Sequence, residues 1–121
     1  MLAAISLVAA LVQNPAADHA QGQLIECLST VVRDGLRQRL SADAFRPVFD
    51  SSCQVEAARL REIVFQQSME DSLRIHEGHW PSDVEDQART NAGRDADRSV
   101  SGARQIAYRR FESFSRPYGR R

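Results

Sequence analysis

CLSTVVRDGLRQRLSADAFRPVFDSSC, residues 27–53, carries the chain's two cysteines at its ends, and its reading decides the fold. Leu28, Val31, Val32, Leu36 and Leu40 continue an apolar stripe begun at Leu24 and Ile25. Recurrence at three and four residues marks an amphipathic helix, expected from Gln23 to Leu40. Glu26, Arg33, Asp34, Arg37 and Gln38 take the opposite side, with Cys27 at the margin of the stripe. Gly35 falls on the apolar side, where it lowers helix propensity and leaves room for another backbone to approach.

Ser41 is suited to be a helix cap, and Ala42 to Phe49 reads as a short helix or a run of turns limited by Pro47. Phe45, Val48 and Phe49 are expected to fold back onto the first helix. Cys27 precedes Leu40 by thirteen residues, about 20 Å of helix, so the segment from Ser41 to Ser52 must return as a strap for the two sulfurs to meet. In a small exported domain an even pair of cysteines is expected to be bridged, stabilising by about 3 to 4 kcal/mol in the chain-entropy account. The other reading is two buried thiols acting as small hydrophobes. With no C-x-x-C, a cysteine metal site is disfavoured.

Ser51 with Gln54 has the form of a capping box, which starts the next helix near Ser52. Cys53, Ala57, Leu60 and Val64 form one seam and Ala58, Phe65, Met69 and His76 a second, so this helix reads as central and ends before Gly78. Ser82 with Glu85 gives another capping box. The helix it opens carries Val84, Ala88, Ala92, Ala96, Ser99, Ala103, Ile106, Arg110 and Phe114 as its expected seam, with possible breaks at Gly93 and Gly102. Its small residues bury little area.

The fold class is therefore all-α: a small disulfide-pinned bundle of about three helices, with a short helical or turn strap between the first two. Upstream, LAAISLVAALV (residues 2–12) is an uncharged apolar run of eleven residues. It is too short to span a bilayer, which takes about twenty, and suits a signal peptide. Residues 1–20 are assigned to that segment, with the mature chain starting between Ala16 and Gln21 and retaining no transmembrane helix. An ordinary buried N-terminal helix is the alternative. Residues 21–114 form one domain and 115–121 a flexible basic tail. The implied location is periplasmic or secreted.

Sixteen acidic residues balance sixteen arginines, and lysine is absent, so net charge gives no argument for a nucleic-acid or membrane partner. Charge is nevertheless segregated. From Arg104 onward arginines interleave with Tyr108, Phe111, Phe114 and Tyr118 against the single acid Glu112. Arg104, Arg109, Arg110 and Arg116 are the candidate contacts to a protein or an anionic envelope partner. Nucleic acid is not expected as the partner of an exported protein. Asp83, Glu85, Asp86, Asp95 and Asp97 could instead balance the arginines internally.

His76, Glu77 and His79, with Asp83 nearby, offer ligand types suited to zinc, copper or nickel. Their spacing is not that of H-E-x-x-H, and Gly78 interrupts the helix. A polar helix end, with histidine near the negative end of the dipole, accounts for them equally. No nucleophile paired with a base and no phosphate loop is present, so no enzymatic activity and no cofactor are expected.

With Cys27, the basic helix after it, the strap from Ser41, and Cys53 followed by Glu56 and an Ala/Leu/Arg helix, the chain resembles small uncharacterised two-cysteine helical proteins exported by high-GC Gram-negative bacteria. The resemblance covers about Gln23 to Leu73. It implies a compartment and a fold, and no site. The expected function is a non-enzymatic interaction or envelope-associated module, with metal binding through His76 and His79 as the alternative.

Overall fold

Asn14 caps the first helix: its side-chain oxygen accepts from the Ala17 N–H at 3.3 Å, and Pro15 occupies the first turn, where a missing N–H costs nothing. The computed structural model describes residues 14–115. They form four helices and no strand: α1 (Pro15–Arg37), α2 (Ala42–Asp50), α3 (Gln54–Ile75) and α4 (Ser82–Ser115). The strap is thus a helix in its own right. Helix α1 begins well before Gln23, and Ala20 lies in the core at 1% exposure. The boundary expected at residue 20 therefore falls inside α1, whose alanine-rich start carries too little apolar signal to register as a stripe. The apolar run from Leu2 to Val12 lies outside the described residues.

Leu24, Leu28, Val32 and Gly35 continue the buried row from Ala20, while Ile25 turns outward. The helix stops at Arg37, short of Leu40. Arg39 adopts φ 56°, its N–H donating to Leu36 O at 3.0 Å while the Leu40 N–H donates to Gly35 O at 3.1 Å. Those are the paired bonds of a Schellman stop, made with arginine in the left-handed position usually taken by glycine. Ser41 then caps α2 by accepting from the Ala44 N–H at 3.1 Å.

Helix α2 carries Phe45 and Phe49 into the core and leaves Val48 exposed, contrary to expectation, because on so short a helix one apolar row is all that can face inward. Cys27 and Cys53 are bridged, with Cα atoms 6.0 Å apart. Since α1 ends at Arg37, the strap returns over about 15 Å of helix rather than 20.

Neither expected capping box forms. The Ser51 hydroxyl donates backward to Pro47 O and Val48 O, ending α2, and Cys53 starts α3 from a left-handed conformation (φ 61°) without a side-chain cap. At α4, the Glu85 N–H donates to Pro81 O at 3.0 Å, and Ser82 is already helical. Helix α4 also runs unbroken through Gly93 and Gly102.

Helices α1, α3 and α4 pack mutually as a three-helix bundle, with α2 laid across one end. Helix α3 packs on both α1 and α4, most extensively on α4. Its first seam enters the core through Ala57 and Leu60, whereas Phe65 and Met69 stay half-buried and Ala58 and His76 are exposed.

Candidate functional site

The seam of α4 is where the register differs most usefully from expectation. From Ala96 onward two helical rows diverge around Ala103, which both contain: the expected one through Ser99, Ile106, Arg110 and Phe114, the other through Val100, Ala107 and Phe111. The second row faces the core, with Val100, Ala103 and Phe111 buried and Ala107 half-buried. It offers Val100 and Phe111 to the core and brings Tyr108 beside them, whereas the first would bury Arg110 at the cost of desolvating a guanidinium. Ile106 and Phe114 consequently remain 66% and 69% exposed, beside exposed Arg109 and Arg110. Spaced at three and four, these residues share one side of the helix.

Arg104 does not belong to that surface. Its guanidinium donates to Phe49 O at 3.1 Å and to Ser52 O at 2.8 Å, satisfying carbonyls at the end of α2, and lies over the Phe49 ring. It is a structural clamp joining α4 to the strap. Below it Phe45 stacks on Phe111 with ring centres 3.7 Å apart, and Tyr108 closes the cluster while Arg46 covers its outer face at 3.8 Å.

The acidic residues do not neutralise the arginines of this end. Glu85 pairs with Arg89, Asp95 with Arg98 and Asp97 with Arg61. Among the described residues Arg109 and Arg110 take part in no ion pair. Arg116 lies outside the described residues.

At the other end, His76, Glu77, His79 and Asp83 are all exposed. The His76 ring nitrogen meets Ser72 O at 2.9 Å, and Glu77 and Gly78, both at positive φ, complete the stop of α3. Their donor atoms do not converge on a common point. The one triple of potential ligands that does converge among the described residues is Cys27, Cys53 and Glu56, in which the two sulfurs are already bonded to each other. The segment thus serves as a helix stop, tied further by Trp80 Nε1 donating to Ser72 Oγ at 3.2 Å.

What this arrangement offers is a basic, partly apolar face on a rigid helix, suited to binding. The residues that hold it there, Arg104 and Gly35, were readable only as a charge and a gap; no local pattern distinguishes an arginine clamped to carbonyls from one in solvent. In comparisons with protein-family models, curated proteins and solved structures, nothing matches this chain.

Proposed function

We propose that the protein is a small, non-enzymatic helical module of the cell envelope that docks an anionic partner through the outer face of the last third of α4. The observation that carries this reading is the exposure of Ile106 and Phe114 beside Arg109 and Arg110. Apolar and arginine side chains together are the ordinary composition of a binding surface. Export fits the Cys27–Cys53 bridge, which persists in an oxidising compartment.

A photocrosslinker placed at Phe114 in the native host tests the surface. A discrete crosslinked product that disappears on reversing Arg109 and Arg110 to glutamate supports it; the same product in both proteins, or none, rejects it. Export carries its own check. Because Asn14 caps α1 and donates to Gln67 Oε1 at 2.7 Å, processing must leave Asn14 in place. Intact mass of the host protein should show a chain that has lost its apolar N-terminal run and starts at or just before residue 14. A start between residues 15 and 21 would remove this cap, and an intact Met1 start would show no processing; either contradicts the proposed mature form.

A further inference from the structure

Helices α1 and α4 run side by side in the same direction: Gly35, late in α1, meets Phe111, late in α4. Between them lies an open groove of about 290 Å³. Ile25 and Val32 line it from α1, Gly102 and Ile106 from α4, with Arg98 and Arg110 toward its two ends. Arg98 and Arg110 are twelve residues apart on α4, about 18 Å of helix.

Its charge limits what can occupy it. Two guanidinium groups line the groove and no carboxylate does. Arg98 is already held by Asp95 at 3.7 Å, whereas Arg110 has no ionic partner among the described residues. A second copy on the same face would bring these arginines against their own counterparts, since a two-fold interface pairs a patch with itself. The size limits it too. The volume is at the lower end of small-ligand sites, about 300 Å³ and upward, and a single turn of an incoming helix, about 10 Å across and 5 Å long, already takes about 400 Å³.

We propose that this groove binds a single-chain anionic amphiphile of the fatty-acid type, its chain lying over Gly102 between Ile25 and Ile106 and its carboxylate paired with Arg110. The guanidinium matches a carboxylate in shape as well as charge. This goes beyond the docking face on α4, with which the groove shares Ile106 and Arg110; Arg109 and Phe114 belong to that face alone and do not line the groove.

Gly102 supplies the test. A Cβ built there meets no atom within 4 Å, so the side chain of Gly102→Leu starts from open space and extends into the groove. The oxidised full-length protein is titrated by calorimetry with dodecanoate below its micelle concentration, with sedimentation velocity run in parallel. One-to-one binding is expected. Gly102→Leu should weaken it at least tenfold, Arg110→Gln about tenfold, and decanoate should bind about tenfold more weakly than dodecanoate. Arg109→Gln should change nothing, which separates this site from the docking face. Undiminished binding to Gly102→Leu, stoichiometry well above one, or no binding at all would overturn the proposal. A dimer that Gly102→Leu dissociates would assign the groove to a second copy instead, and capture of an acidic peptide helix without dodecanoate binding would assign it to a protein partner.

Discussion

At the end of the bundle crossed by α2, Phe45, Phe49, Tyr108 and Phe111 fill the space between helices; along the first half of α4, Ala88, Ala92 and Ala96 do so. The three phenylalanines and the three alanines are buried and Tyr108 is half-buried, yet only the aromatic end belongs to the contiguous core, which also takes in Leu24, Leu28, Val32, Leu60 and Val100. The disulfide and the Arg104 clamp are at that end as well. The alanine end is held by close helix approach and by exposed or half-buried polar ties: Ser68 to Asp95 at 3.0 Å, Arg61 to Asp97 at 3.1 Å, and Trp80 to Ser72. Alanine removes little apolar surface from water, and surface ion pairs add little, so stability is concentrated at one end. The docking face and the groove are carried by the more stable half of α4.

That contrast can be broken in graded steps. Phe111→Ala removes a fully buried ring stacked on Phe45 beside Gly35 and should cost about 3 to 5 kcal/mol, a large part of the roughly 5 to 15 kcal/mol that holds an ordinary domain folded. A urea titration followed by circular dichroism measures it. Replacing both cysteines by alanine should cost about 3 to 4 kcal/mol, the chain-entropy value for a loop of this span, read as a lower urea midpoint against the oxidised protein.

Arg104→Ala should cost about 2 kcal/mol, because two carbonyls lose a charged donor. A variant as stable as the parent would mean the clamp contributes nothing. The smallest effects are the most pointed. A Cβ on Gly35 would come within 2.6 Å of the Phe45 ring, whereas one on Gly93 meets nothing within 4 Å. Gly35→Ala should therefore destabilise by about 1 to 2 kcal/mol, the overpacking outweighing the gain in helix propensity, and Gly93→Ala should stabilise by about 1 kcal/mol. Equal signs for the two would show that the ends are not packed differently.

The helical class, the bridge and the returning strap were legible because they follow from apolar spacing and from the distance between two cysteines. Gly35 was legible as a place of close approach, though what approaches is an aromatic side chain and not a backbone. The row that α4 buries was not legible. Ile106 and Phe114 on one row balance Val100 and Phe111 on the other, and the choice rests on Gly35 leaving a slot for Phe45 and Phe111, a tertiary fact. The Ser51 cap failed for a related reason: the strap and its disulfide fix where α3 begins, overriding a local preference of about 1 kcal/mol. At α4 the helix starts one residue earlier than expected, from the Pro81 carbonyl, which leaves Ser82 inside the first turn. The candidate face was readable as charge, but Arg104 had to be taken out of it and Ile106 put in.

Residue-resolved hydrogen exchange of the oxidised protein tests the unequal bundle most directly, because it reads local opening along a single helix. Amides of α4 from Val100 to Phe111 should be protected to nearly the global unfolding free energy, together with those from Leu24 to Gly35. Those from Glu85 to Ala92 should exchange at least a hundredfold faster, an opening easier by about 3 kcal/mol. Uniform protection along α4, or protection greatest at Ala88 and Ala92, would contradict the account.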